Sequence, residues 1–319
     1  MKRLLRALPI PICGLILGTA SLGNLLKSVG WSALGNLLGL IASGLMILVL
    51  LKLLLLFHET RAHLSDPIIA SVAPTFTMGL MVICTYLVQF PGLAGMVRLL
   101  WLGTLFLHFG LMLLFTYRFV IKKEVLIEHI YPSWFIVYVG IGVISVTSGN
   151  FYPALGQIIF WVALGFYLFL LPFVLHRVFN YRQMAEATLP LITIIAAPGS
   201  LCLTGYLKVY SHPQMALVVS LLLLSQLLYV VVLKMIIPLR RLPFYPSYAA
   251  FTFPLVISAT ALSEATSILP ITSSWRFALQ GICWLEIGIA SFVVVYVTYH
   301  YGRFLVTATK TAEYIEELG

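Results

Sequence analysis

The chain has 319 residues, 61% of them apolar and 9% charged, and its 19 Lys and Arg outweigh 10 Asp and Glu for a formal net charge of +9. Soluble domains hold about 45–50% apolar and about 25% charged residues, so the composition excludes a soluble globular protein and a disordered chain. The basic residues lie scattered between long apolar runs, without a basic stripe or aromatic platform, and this excludes nucleic acid as a partner.

What remains is an all-α polytopic membrane protein with membrane lipid around it. A hydrocarbon core of about 30 Å takes about 20 apolar helical residues. Ten segments fit that length: Leu8–Leu25, Ser32–Phe57, Pro67–Gln89, Leu93–Tyr117, Tyr131–Phe151, Pro153–Phe179, Leu189–Tyr210, Pro213–Ile237, Pro246–Ile268 and Ser274–Leu305. The last is longer than one crossing requires. The alternating blocks of a strand barrel are absent. The opening Met1-Lys2-Arg3-Leu4-Leu5-Arg6 before an apolar run invites a signal-peptide reading. Pro9 and Pro11 interrupt that run early, so it reads as a retained first helix. Cys13, Cys84, Cys202 and Cys283 sit singly in four different segments, which indicates neither disulfides nor a thiolate metal site.

Loops that stay in the cytoplasm retain Lys and Arg. Lys27, Arg98, Lys208 and Arg276 fall on one side of the ten-segment scheme and the other fifteen basic residues on the opposite side, alternating loop by loop. The chain is therefore expected to be a single transmembrane domain over residues 1–319, in the cell membrane, with both termini cytoplasmic.

Backbone breakers favour the odd-numbered segments. Pro9, Pro11 and Gly14 lie in the first, Pro74 and Gly79 in the third, and Gly140 and Gly142 in the fifth. Pro198 and Gly199 lie in the seventh and Pro254 in the ninth. The recurrence, at about 60 residues, is that of repeated helical hairpins. A proline removes a donor and frees a carbonyl, which a membrane tolerates where the backbone is packed in protein or lines a wet cavity. A single kink fits either reading; several on odd helices favour odd helices around an axis and even helices outside. Nearly pure aliphatic stretches such as Leu48–Leu56 and Leu221–Leu224 suit the outer role.

Leu8-Pro9-Ile10-Pro11-Ile12-Cys13-Gly14-Leu15-Ile16-Leu17-Gly18 resembles the first helix of the bacterial TehA proteins, relatives of the plant slow-type anion channel and of fungal malate and sulfite transporters. Arg61 with Asp66-Pro67, Tyr131-Pro132-Ser133, Ala197-Pro198 and Ala250-Phe251-Thr252-Phe253-Pro254 match in order and spacing. The resemblance implies ten transmembrane helices as five hairpins in quasi-fivefold array around a central pore, usually as a homotrimer. It also implies that Phe253 plugs the pore, that Gly14 leaves room beside the ring, and that Pro74, Thr75, Pro198, Thr252 and Pro254 line or kink it. A hydrophobic constriction of this kind gates by dewetting. Family kink prolines would align near Ile16 and Val137, where this chain has none, leaving Pro9, Pro11, Gly140 and Gly142 as substitutes.

Glu286, near the middle of the tenth segment, also departs from the family pattern. An intramembrane acid is costly and faces a partner or a cavity, so it is either a proton-coupling group or a helix-to-helix hydrogen bond. The histidines of His58-Glu59-Thr60-Arg61-Ala62-His63 are five apart rather than four, which fails the HExxH metal spacing. With no GxSxG or phosphate-binding loop, no enzyme activity, metal or cofactor is expected. No Lys or Arg sits at mid-depth on an odd segment, so anion preference is expected from the hydroxyls of Thr75, Thr77, Ser200, Thr204, Thr252 and Ser258. The reading is an anion channel or channel-like permease for small anions such as chloride or nitrate. The alternatives are a secondary transporter of dicarboxylate, sulfite or tellurium oxyanion, proton-linked through Glu286, and a non-conducting membrane sensor.

Overall fold

The computed structural model describes residues 2–318. Every regular element is helical, with no strand among the described residues. Among the described residues, eight helices are long and apolar enough to cross a membrane. In chain order, α1 is Ile12–Ser28, α2 Ser32–Leu55, α3 Pro67–Leu87 and α4 Pro91–Ile121. The broken α5 comprises Trp134–Tyr138 and Gly142–Thr147. Then come α6 Pro153–Tyr181, α7 Glu186–Val209, α8 Met215–Leu239, α9 Pro246–Ile268 and α10 Ser273–Leu318. Short α1 and broken α5 fall outside the eight.

The breakers act locally in different ways. Helix α1 begins at Ile12 rather than at Leu8, so Pro9 and Pro11 precede it instead of kinking it. The amides of Ile12, Cys13 and Gly14 bond carbonyls three residues back, and the freed Leu8 carbonyl accepts from Lys52 Nζ of α2 at 2.6 Å. At the start of α3, Asp66 caps the amides of Ile68 and Ile69 at 2.7 and 3.0 Å, with Pro67 in the first turn. The helix then breaks at Ala73-Pro74. In α5, glycine replaces proline: Gly140 lies in the break, and a β-carbon there would run into the Ile136 carbonyl and come within 2.9 Å of Met78 Sδ. Helices α7 and α9 begin with narrow 3-10 turns, Glu186–Ala196 and Pro246–Phe251, that relax to α geometry next to Pro198 and Pro254.

These irregular helices are the interior. In their most apolar stretch, α3, α7 and α9 are 72–89% buried, against 28–39% for α2, α4, α6, α8 and α10. The inner segments touch in cyclic order, α1 to α3, α3 to α5, α5 to α7, α7 to α9 and α9 back to α1. Each even helix packs on the odd helix before it in the chain. Rows such as Leu40 and Leu54, Leu99 and Phe106, Leu223 and Leu227, and Phe277 and Phe292 remain exposed on the outside. A large exposed apolar surface is what lipid covers.

Arg177, at the end of the sixth segment as expected from sequence, is buried in the last, widened turn of α6 rather than exposed. Its guanidinium stacks on Tyr131 and Tyr181 and donates to the Gln183 carbonyl.

Candidate functional site: a column of three cavities

Residues beside the loops that follow the five inner segments, among them Ser28, Gln89, Asn150, Lys208 and Glu264, surround one cavity of about 410 Å³. These loops therefore share one end of the molecule, the far end, and the cavity is its vestibule. Below the vestibule is a middle cavity of about 40 Å³, reached by all five inner segments. Below that again, one of about 60 Å³ is lined by Pro11, Ile68, Leu191 and Ser247 at the near end. The middle and near cavities share Gly14, Thr75, Ile136, Ile194, Ala249 and Ala250. The middle cavity and the vestibule share only Leu201 and Phe253.

That sharing locates Phe253. It is 7% exposed, and its residue walls the vestibule on one side and the middle cavity on the other. Pro254, next in α9, lines the middle cavity with Pro198 of α7. Of the residues forming the middle cavity only Thr75 bears a hydroxyl, and that hydroxyl donates to the Val72 carbonyl at 2.7 Å. Apolar cavities several times larger stay dry, so water has little to hold it here.

Gly14 lines the middle and near cavities, and its nearest neighbour is Ala249, whose Cβ stands 3.2 Å from where a β-carbon would lie. The closer approach belongs to Gly18. A β-carbon there would come within 2.6 Å of Thr252 Cβ and 3.0 Å of the Phe253 amide. Gly18 thus sets how near α1 comes to the turn carrying the ring. The sequence offered it only as one of two glycines a helical turn apart.

The hydroxyls expected to favour anions are mostly engaged otherwise. Thr77 bonds the Pro74 carbonyl and lies 2.7 Å from His108 Nδ1. Thr252 donates to the carbonyls of Gly14 and Ala249. Ser200 and Ser258 both reach the Ala196 carbonyl, and Thr193 bridges α7 to the Ala250 carbonyl of α9 at 2.6 Å. They satisfy carbonyls freed where the helices are irregular, an obligation no lipid meets. Of the six named from sequence, Thr204 alone has a buried hydroxyl oxygen without a partner, and it lines the vestibule.

Glu286 lies off the column. It is 2% exposed and packs against Gln226 and Tyr229 of α8. Its Oε2, Gln226 Nε2 and the Tyr229 hydroxyl are buried without hydrogen bonds of ordinary geometry. The residue that sequence reasoning passed over is Glu264, an acid inside the apolar run of α9. It pairs with Lys208 of α7 at 2.7 Å on the vestibule wall, and the rule that singled out Glu286 applies equally to it. Among the described residues no group of three or more His, Cys, Asp or Glu is placed to hold a metal.

Five irregular inner helices surround the stacked cavities, and Phe253 stands between the upper two. Residues 7–301 match the family model SLAC1, described as voltage-dependent anion channel. The chain belongs to the SLAC1 family. The match takes in all five inner segments and α10 as far as Tyr301, and so the whole column. It agrees with the TehA and slow-type anion channel resemblance of the inner-helix motifs. No curated protein matches the chain in a direct comparison of sequences. As a SLAC1 member with eight long apolar helices, the chain is a multi-pass membrane protein of anion transport.

Proposed function

We propose that this SLAC1-family chain is an anion channel, or channel-like permease, passing small monovalent anions such as chloride or nitrate along the three cavities, with Phe253 as its gate. The observation that carries the reading is the position of Phe253 between the wide vestibule and the dry middle cavity. A ring there removes the water column an ion needs, and hydrophobic constrictions close pores in that way. Gly14, Thr75, Pro198 and Pro254 line the middle cavity among larger apolar side chains such as Leu17, Met78 and Phe135, while Pro74 and Thr252 act beside it, at the irregular turns of α3 and α9. The cyclic contacts of the inner segments support ten membrane-spanning helices in a quasi-fivefold array of hairpins, forming one domain over residues 1–319. By the basic-residue bias the near end and both termini face the cytoplasm of the cell membrane. By resemblance the protomers assemble as a homotrimer, each with its own pore.

Proton-coupled carriage of a dicarboxylate, sulfite or tellurium oxyanion needs a titrating group in contact with the path. Glu286 lines none of the three cavities, so its role is to join α10 to α8. The test is current through planar bilayers holding purified protein, wild type beside Phe253→Ala, under a chloride gradient. The variant is expected to conduct at least about tenfold more, with a reversal potential that follows chloride, since an apolar block is lost. Silence from both proteins, with vesicle uptake driven by a pH gradient instead, sinks the channel reading.

A further inference from the structure

The vestibule carries three charged residues on its wall: Lys27 at the end of α1, Lys208 at the end of α7 and Glu264 of α9. Their formal sum is +1. Lys208 and Glu264 form an ion pair of 2.7 Å. The Lys27 ammonium lies 4.7 Å from the centre of the Tyr86 ring and is buried without a hydrogen-bond partner. A covered cation with no hydrogen bond is costly, the aromatic face offsets only part of that cost, and its field reaches into the cavity with little screening. Thr204, whose hydroxyl is likewise buried without a partner, lines the same space.

From this we infer that the vestibule is an anion-loading site whose occupant is a single monovalent anion, and that Glu264 is the residue that sets this preference. The inference rests on the channel reading above. A monovalent anion entering the vestibule brings its charge to zero. A divalent oxyanion or dicarboxylate leaves it at −1, facing a carboxylate already held there by Lys208. The divalent ion then meets the apolar middle cavity, where the cost of shedding water rises with the square of the charge. Glu264 thus acts as a tethered carboxylate that fills one anion's place, leaving the field of the covered Lys27 ammonium for the mobile one. Lys27 and Lys208 also sit in the last turns of their helices, where a cation offsets the carbonyl end. That duty predicts effects on stability but none on ion choice.

Selectivity is measured in the Phe253→Ala background, with chloride on one side of the bilayer and malate or sulfate on the other. Adding E264Q, which raises the vestibule to +2, is expected to increase the divalent-to-chloride permeability ratio by on the order of tenfold, as one unit charge at about 10 Å allows. K208Q together with E264Q removes the ion pair but restores +1, and is expected to return the ratio toward the parent value. A conducting E264Q protein with the parent ratio overturns the inference, as does a double variant that stays divalent-permeable. A background protein that carries no current overturns the channel reading instead. The site is then read from thermal midpoints in detergent, through the stabilisation a bound ion confers. A gain with sulfate specific to E264Q upholds the loading site, and equal shifts in all variants overturn it.

Discussion

Most polar side chains of the inner helices are engaged in keeping the backbone satisfied. Thr77, Thr193, Ser200, Thr252 and Ser258 donate to carbonyls at or beside the irregular turns, each bond a net contribution of about 1 kcal/mol and a larger loss if the carbonyl is left bare. From sequence these hydroxyls were indistinguishable from a pore lining, because a threonine near a proline looks the same whether it faces ions or its own chain. Glu286 differs in that its carboxyl reaches across to α8 and away from the cavities. Glu286→Gln keeps the length of the side chain and its packing against Gln226 and Tyr229 of α8. Anion flux in proteoliposomes is therefore expected to match the wild type with the same pH profile, and a displaced profile reinstates proton coupling. Glu264, the other acid in an apolar run, was legible by the same rule, yet its partner was not: Lys208 lies 56 positions away, and only folding joins them.

At the scale of the element, composition and breakers placed the helices well, while the mechanism of each break needed coordinates. Pro198 and Pro254 stand where α geometry begins, after a narrower turn. Pro9 and Pro11 stand between a short helix, Lys2–Ala7, and α1 instead of bending one helix. In α5 a glycine carries the break, and the space around it explains why no proline is required: the Ile136 carbonyl occupies the place of a side chain. Gly140→Ala is accordingly expected to cost about 1–3 kcal/mol and to lower the thermal midpoint in detergent. The comparison is Gly165→Ala in α6, where nothing lies within 4 Å of the added carbon and helix propensity favours alanine. Equal midpoints for the two variants would show that α5 is not held in its broken form. Helix α10 exceeds the sequence expectation. Its 46 residues run about 69 Å at 1.5 Å each, roughly twice the hydrocarbon thickness.

For the whole molecule, the burial contrast between odd and even helices agrees with the inner and outer roles that the breakers and aliphatic runs implied. The three-part division of the column did not follow from either, since it depends on which side chains meet across five segments. The division is testable with small membrane-impermeant thiol reagents, because the four native cysteines are all buried and so give little background. Asn150→Cys, in the vestibule, is expected to react only from the outer face of oriented vesicles. Ser247→Cys, in the near cavity, is expected to react only from the cytoplasmic face. Reaction of both from the same face would overturn the two-ended column.

The dryness of the middle cavity has a consequence for the membrane as an electrical insulator. Protons cross bilayers along files of hydrogen-bonded water, passing from molecule to molecule without any ion needing to move through. A cavity of about 40 Å³ whose one hydroxyl is turned to the backbone interrupts such a file, with the Phe253 ring directly above it. With Phe253 as the proposed gate, the closed protein is expected to hold back protons as well as chloride. A cell holding many closed copies would then keep its transmembrane voltage and its pH difference until the ring moves.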